Sequence, residues 1–178
     1  MGRALAEQLS REKHDITVID RKPEAIQQIT NIADVRGVVG NGASFEIQMD
    51  AGIDTADLMI AVTDADEVNL LCCLIAKKAG GCQTIARVRN PVYHHEIHHI
   101  KDELGLSMVI NPEWAAAMEM ARLLRFPSAI DIDTFANGRI ELLRFQLEEQ
   151  NPLCNNKIKD LHMLSRCEAL IRIVERGN

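Results

Sequence analysis

Gly2 and Asp20 are the first residues of the chain whose types and spacing could do chemistry. In a dinucleotide-binding βαβ unit, a glycine-rich turn brings the pyrophosphate to the N–H groups of a helix, and an acidic residue about 20 positions later bonds the ribose. Gly2 suits the third glycine of G-x-G-x-x-G, which lets a helix pack closely on its strand, and Asp20 ends the β-branched run HDITVID. An aspartate after a strand is also a common turn residue, so both interpretations of Asp20 stay open.

Two arginines on one predicted strand could bind phosphate. Arg87 and Arg89 alternate along the run TIARVR, and alternate residues of a strand share a face. Planar guanidinium groups at the end of a strand suit phosphate oxygens. The alternative is that one of them pairs with an acid of the chain, such as Glu67.

Two enzymatic interpretations fit the residues less well. A small hydride-transferring enzyme would use Tyr-x-x-x-Lys, but the single tyrosine, Tyr93, is followed by Ile97 at the lysine position. The segment 95–99 matches H-E-x-x-H, in which two histidines hold zinc and the glutamate activates water. That chemistry also needs a third ligand and an open cleft, and the clustered histidines make a chance match easy. We therefore expect a solvated helix face, with adventitious metal binding as the alternative, and neither an enzyme nor a metal centre.

The elements that must position these residues follow from the hydrophobic period. Short β-branched or apolar runs predict strands at 14–20, 35–40, 58–63, 84–89 and 107–110. The helices predicted between and after them include 3–12, 67–79, 92–103 and 112–125. This alternation predicts βαβ units and an open parallel sheet, which is an α/β fold of the Rossmann type.

The pattern changes after Phe126 and Pro127. Residues 129–147 contain two alternating runs around Asn137-Gly138, a type I′ hairpin signal, and a last strand is predicted at 169–174. Such a short antiparallel α+β piece is marginal on its own. The predicted organisation is therefore an α/β domain at 1–127, followed by a partial α+β subdomain at 128–178.

Composition and charge exclude several classes of protein. Apolar residues make up 47% of the chain and charged residues 26%, which is typical of a globular protein. The net charge of −6 argues against a nucleic-acid partner, and no run approaches the roughly 20 apolar residues of a membrane span. The five cysteines form no C-x-x-C pair, which predicts reduced thiols packed as small hydrophobes.

The predicted helix 112–125 has more apolar surface than one small domain needs. One stripe of it contains Ala115, Met118, Ala121 and Arg122, and a second contains Ala116, Met120, Leu123 and Leu124. A helix at the edge of a domain needs only one apolar face for its own core. A second subunit could cover the other stripe; packing within one chain is the alternative.

The chain resembles the N-terminal domain of the TrkA/RCK family over about residues 2–127. The resemblance rests on the strings DITVIDRKPEAIQ, VVGNGAS, ADLMIAVTDADEVNLLCCLIAKK, IARVRNPVY and VINPE, which follow the family's order and spacing. Residues 128–178 resemble the start of that family's C-terminal subdomain. The resemblance implies a nucleotide-sensing regulatory subunit of Trk or Ktr potassium-uptake systems.

The resemblance also implies which residues form the site. Asp20 would bind the adenosine ribose with Arg21 beside it, and Asn41 and Gly42 would flank the adenine. The phosphates and the distal ribose would lie against a second group of residues at the ends of the next strands: Thr63, Asp64, Asn69, Arg87 and Arg89.

The start of the chain departs from the family pattern. The family begins with a strand and G-x-G-x-x-G, whereas Met1 stands just before the last glycine, Gly2. We therefore expect a sheet that lacks its first strand, which is central in the usual strand order. The strands at 14–20 and 58–63 should then not pair with each other.

The resemblance implies ligands and partners as well. The cofactor would be NAD or NADH, with ATP or ADP as other candidates. The partner would be a membrane-embedded Trk or Ktr potassium-transporter subunit, contacted by a homo-oligomer, either a dimer or a tetramer. The location would be cytoplasmic and peripheral, on the inner face of the plasma membrane. The alternative function is a fragment of an NAD(P)-dependent oxidoreductase.

Overall fold

The computed structural model describes residues 1–136, 139–160 and 170–176. The chain divides into two compact units, residues 1–117 and 118–178. Parallel strands alternate with helices through the first unit, which confirms the predicted α/β class. The assignment of domains to residues 1–127 and 128–178 stays a prediction, because a division by compactness alone does not test it. No helix in these three ranges is long and apolar enough to cross a membrane.

The first unit alternates helices with short strands, and a sixth helix continues into the second unit. The strands are β1 Thr17–Asp20, β2 Arg36–Val39, β3 Leu58–Ala61, β4 Gln83–Arg87 and β5 Met108–Ile110. The helices are α1 Gly2–Arg11, α2 Pro23–Thr30, α3 Phe45–Asp50, α4 Asp66–Ala79, α5 Pro91–Ile100 and α6 Pro112–Arg125.

Local sequence signals explain where several helices begin. Pro23, Pro91 and Pro112 are the first residues of α2, α5 and α6, where the fixed φ of proline fits and its missing N–H is not needed. Asn90 caps α5, because its side-chain oxygen accepts a hydrogen bond from the N–H of Val92 at 3.0 Å. Gly81 follows α4 with a φ of +70°, a conformation that glycine adopts without steric cost.

The parallel strands form two separate sheets. β1 pairs with β2, and β4 lies between β3 and β5. Among the described residues, β1 and β3 do not pair with each other, as predicted for the runs at 14–20 and 58–63. The loops that follow β1 and β2 therefore form one group at the carboxyl edge of the smaller sheet. The loops that follow β3, β4 and β5 form another group at the carboxyl edge of the larger sheet.

Helix α4 covers the core of the larger sheet. Cys72 and Cys73 of α4 are buried together with Ala61 of β3 and Ala86 of β4. Burial raises the pKa of the Cys72 thiol to about 11 and that of Cys73 to about 12, so both stay protonated at neutral pH. The prediction that cysteines pack as reduced small hydrophobes is confirmed for these residues. Cys82 and Cys154 are also free thiols, and Cys167 lies outside the described residues.

The second unit contains a two-stranded antiparallel sheet. Strand β6, Ala129–Phe135, pairs with β7, Ile140–Phe145, so the predicted pair of strands is confirmed. The predicted turn at Asn137-Gly138 lies outside the described residues. The strand predicted at 169–174 is wrong over 170–174, which has no regular structure. Alternating apolar residues make a strand only where a neighbouring strand pairs with its backbone, and β6 and β7 pair with each other.

Candidate functional site

Asp20 ends β1 at the carboxyl edge of the smaller sheet and is exposed. Its Oδ1 accepts a hydrogen bond from the backbone N–H of Lys22 at 2.9 Å, so it serves as the turn residue that one interpretation predicted. This bond uses one carboxylate oxygen. The other oxygen has no hydrogen bond within the described part of the chain, and it could accept one from a ribose hydroxyl.

Arg21 joins the ends of the two strands of this sheet. Its Nη2 donates to the Oδ1 of Asn41, which follows β2, at 2.8 Å. The same oxygen accepts from the backbone N–H of Ala43 at 3.2 Å, and the backbone carbonyl of Asn41 accepts from the N–H of Ser44 at 2.8 Å. The residues 41–44, called here the β2 loop, are therefore held in one conformation by their own hydrogen bonds and by Arg21.

Gly42 brings the β2 loop close to α4. A Cβ atom at this position would lie 3.3 Å from the Sγ of Cys72, which is tighter than an ordinary van der Waals contact. A glycine is therefore favoured here by a close approach of backbone to helix. Gly2 shows the same property, because its Cβ would lie 3.3 Å from Cγ2 of Val62, just after β3. The beginning of α1 thus lies close to the residue that follows β3, and the role of Gly2 as the third glycine of the motif stays a prediction.

Asn69 connects the ends of β3 and β4. Its side chain is fully buried, and Nδ2 donates to the carbonyls of Thr63 at 3.1 Å and of Arg87 at 2.9 Å. Its Oδ1 accepts from the N–H of Thr63 at 2.7 Å. Both amide hydrogens are therefore used within the protein, and Asn69 supports the loop of Thr63 and Asp64 from below.

Arg87 is paired with an acid, as the alternative interpretation allowed, but that acid is Glu113. Its Nη2 donates to the Oε1 of Glu113, in the first turn of α6. Only 13% of the Arg87 side chain is exposed, and its Nε is buried without a hydrogen-bond partner in the described residues. The bond from Arg87 lowers the pKa of the Glu113 carboxyl below its ordinary value.

Arg89 lies over the loop that precedes α4. Its Nη2 donates to the backbone carbonyl of Asp64, and its Nε lies 3.7 Å from the Oδ1 of Asp66. The Oδ2 of Asp66 accepts from the backbone N–H groups of Arg89 and Asn90, both at 2.8 Å. The guanidinium of Arg89 therefore contacts the protein on two sides.

The predicted alternative partner, Glu67, bonds to a different residue. The hydroxyl of Tyr93 donates to its Oε1 at 2.8 Å, and this bond raises the pKa of the Tyr93 hydroxyl. Both residues line a cavity of about 310 Å³ between α4 and α5, together with Leu70, Glu96 and Ile97. The described residues contain no cluster of three metal-ligating side chains. The side chain of His95, one of the two motif histidines, lies outside the described residues, so the expected solvated helix face without a metal centre stays a prediction.

The sequence analysis did not identify three residues that hold the loops of the candidate site. Gln48 of α3 lies under the β2 loop, Asp66 holds the turn after β4, and Glu113 pairs with Arg87. Asp66 is the first residue of α4, after the N-cap Ala65, and its carboxylate accepts hydrogen bonds from the backbone of Arg89 and Asn90 in another loop. Glu113 had only the signal of an acid in the first turn of a helix.

The sequence and the fold were compared with known proteins. The family model described as TrkA-N domain matches residues 1–112. A Trk system potassium uptake protein TrkA homolog of Archaeoglobus fulgidus is 36% identical over 150 residues, which cover 84% of this chain and 34% of that relative. The chain thus spans about a third of that relative's length.

Solved structures agree with this match. The TrkA-N domain of the inner membrane protein ybaL of Escherichia coli superposes with a TM-score of 0.61 at 26% identity, over 70% of this chain and 89% of that one. The GsuK channel bound to NAD superposes with a TM-score of 0.52 at 19% identity, over 61% of this chain and 19% of that one, which supports the fold alone. The family model over residues 1–112 and the 36% identity to the Archaeoglobus fulgidus relative show that the chain belongs to the TrkA-N domain family.

Proposed function

We propose that this chain is a nucleotide-sensing regulatory domain that binds NAD or NADH, or the adenine nucleotides ATP and ADP, at the carboxyl ends of its parallel strands. One observation carries the proposal. Side chains cross-link the strand ends there, since Arg21 bonds Asn41 between β1 and β2, and Asn69 bonds the ends of β3 and β4. Open α/β sheets bind their ligands in the crevice at these ends.

The adenosine end of the proposed site is the more complete one. Asp20 offers a carboxylate oxygen to the ribose hydroxyls, and the β2 loop offers backbone at Gly42 to the flat face of the adenine. Arg21 is the residue that could favour a 2′-phosphate, because its guanidinium lies beside Asp20 in the chain. Its bond to Asn41 directs it to the β2 loop, which supports a ligand without that phosphate.

At the phosphate end, the contacts favour Arg87 over Arg89. Arg89 is bonded to the Asp64 carbonyl and lies next to the buried carboxylate of Asp66. Arg87 has a buried Nε without a partner in the described residues, and its one acidic partner, Glu113, is 53% exposed. A ligand phosphate could replace Glu113 at that guanidinium, since bidentate contact with phosphate is a strong interaction of arginine.

The pyrophosphate cradle is not supplied by the described residues. Gly2 fits the last glycine of the turn, but the strand and the two glycines that precede it in the motif have no counterpart among them. We propose that a further parallel strand between β1 and β3 completes the sheet and brings this turn to the start of α1. The separate sheets β1–β2 and β3–β4–β5 support this proposal.

Helix α6 is the proposed contact with a second copy of the chain. It contains no buried residue, although it carries large apolar side chains. Met118 is 47% exposed, Met120 64%, Leu123 54% and Leu124 80%. A helix with this much exposed apolar surface is favoured to pack against another protein.

The proposed regulatory output is control of a membrane-embedded Trk or Ktr potassium transporter. The name of the Archaeoglobus fulgidus relative connects that protein with potassium uptake. A ligand changes such an equilibrium only by its different affinity for two states. The domain would therefore act in the cytoplasm, at the inner face of the membrane, by binding rather than by catalysis.

Isothermal titration of NADH, NAD, ATP and ADP tests the proposal. It should be performed on this chain and on a chain extended at its amino end by an apolar strand and a G-x-G turn. We expect the extended chain to bind at least one of these ligands more tightly than residues 1–178 alone. If neither protein binds any of the four, the proposed function is wrong.

A further inference from the structure

A buried amide lies directly beneath the β2 loop. Gln48, on α3, has no exposed surface. Its Nε2 donates to the backbone carbonyl of Gly42 at 2.7 Å and to that of Cys72 at 3.0 Å. One acceptor belongs to the β2 loop and the other to α4, so a single side chain connects the loop to the helix.

The chemistry of these contacts determines the orientation of the amide. Two backbone carbonyls face Nε2, and exchanging the nitrogen and oxygen positions would bring three acceptors together. The Oε1 is buried without a hydrogen-bond partner in the part of the chain that the structure describes. A buried acceptor without a partner is costly, because the oxygen loses its bonds to water. Gln48 thus donates two hydrogen bonds although its buried Oε1 has a free-energy cost. A hydrocarbon side chain at this position would avoid that cost but would donate neither bond.

The β2 loop is in this way fixed from both sides. From below, the Gln48 amide and the close approach of Gly42 to the Cys72 Sγ set its distance from α4. From the side of β1, Arg21 bonds the Asn41 side chain. Without the Gln48 donor, the Gly42 carbonyl would lose its buried partner, and the loop would shift toward water.

We propose that Gln48 is the positioning residue for the adenine end of the nucleotide site. The inference rests on the proposed function, because it assigns Gly42 to the adenine. Gln48 is too deeply buried to touch a ligand and acts through the Gly42 carbonyl. The class of ligand it serves is an adenosine nucleotide, and it makes no contribution to the distal nucleotide.

The test compares an adenine ligand with one that lacks adenine. Gln48→Met keeps the length of the side chain and removes both donors. We expect AMP and NADH to bind about tenfold more weakly, the factor that corresponds to about one lost hydrogen bond, with nicotinamide mononucleotide unaffected. The matched control is Thr84→Val, which removes another fully buried donor, bonded to the Gly105 carbonyl at 3.0 Å, at the amino end of β4. It should lower the thermal midpoint and leave all three affinities unchanged.

Several results would overturn the inference. Unchanged AMP affinity in Gln48→Met, with normal binding by the unmodified chain, would reduce Gln48 to a core residue. An equal loss of affinity for nicotinamide mononucleotide would show a general effect on the fold. If neither the unmodified chain nor the chain extended at its amino end binds AMP or NADH, the proposed function fails first, and this inference fails with it.

A measurement on the unmodified chain covers the case in which Gln48→Met does not fold. The Gln48 side-chain NH₂ resonances should exchange slowly with solvent and shift when AMP is added. Fast exchange, or resonances that do not move at saturating AMP, would contradict the inference.

Discussion

The guanidinium of Arg87 and the carboxylate of Glu113 form an ion pair between the last residue of β4 and the first turn of α6. The arginine is mostly buried, with 13% of its side chain exposed, whereas 53% of the glutamate side chain is exposed. A partner that water already reaches is the easier one to displace. The pair therefore connects the proposed phosphate site to the helix that leaves the first unit.

Replacing Glu113 should strengthen phosphate binding. Glu113→Gln removes the charge that competes for Arg87, so we expect ADP and NADH to bind about twofold to fivefold more tightly, the scale of an exposed ion pair. Titration calorimetry measures the change. Glu119→Gln is the matched control, because it breaks another α6 ion pair, to Arg122 at 2.8 Å, and removes the same charge. Equal affinities of wild type and Glu113→Gln would contradict the proposed competition.

The same pair should make stability depend on pH. The hydrogen bond from Arg87 lowers the pKa of the Glu113 carboxyl from its ordinary value of 4.5. A depressed pKa in the folded state adds stability above the unfolded value, and this contribution disappears as the pH falls through the folded value. The urea midpoint of wild type should therefore exceed that of Glu113→Gln above pH 4.5, with a difference that shrinks below it. A difference that grows toward acid pH would show that the sign is wrong.

Removing the Asp20 carboxylate should weaken dinucleotide binding. Asp20→Ala deletes the acceptor for the ribose hydroxyls, and we expect a loss of about 1–3 kcal/mol, the scale for hydrogen bonds to charged groups. Asp15→Ala removes the same charge from an exposed position before β1 and should change little. Identical NADH titrations for Asp20→Ala and wild type would assign Asp20 to the turn alone. If wild type prefers NADP over NAD, Arg21 rather than Asp20 is the residue that recognises the ribose, through its 2′-phosphate.

A charge on α6 should disrupt the proposed oligomer. Met118→Glu places a carboxylate among exposed apolar side chains of that helix, where burial against a second copy would be costly. Sedimentation should show an oligomer for wild type and a monomer for Met118→Glu, with equal circular dichroism. Ile32→Glu, at a residue of similar exposure after α2, should leave the oligomer intact. If wild type is a monomer at micromolar concentration, the proposed α6 interface is wrong.

Local sequence signals determined the order and kind of the elements in the first unit. The helix predicted at 112–125 is α6, because Pro112 fits a first helical turn and the apolar residues after it recur three or four positions apart. The run at 58–63 contains β3, since a short apolar run between polar loops favours a strand. These signals act over a few residues, so the sequence alone contains them. The strand at 169–174 was wrong over 170–174, because pairing depends on a distant neighbour.

Only the tertiary structure decided how the candidate site is connected. The sequence alone placed Asp20, Asn41, Gly42 and the two arginines at strand ends, but it left the partner of Arg87 open. The partner is Glu113, 26 positions away, rather than Glu67. The sequence alone predicts only that Gln48 belongs to a helix. Its bonds to Gly42 and Cys72 follow from the packing of α3 on α4. Hydrogen bonds and ion pairs between distant residues depend on where the fold brings side chains together, and no local spacing encodes that.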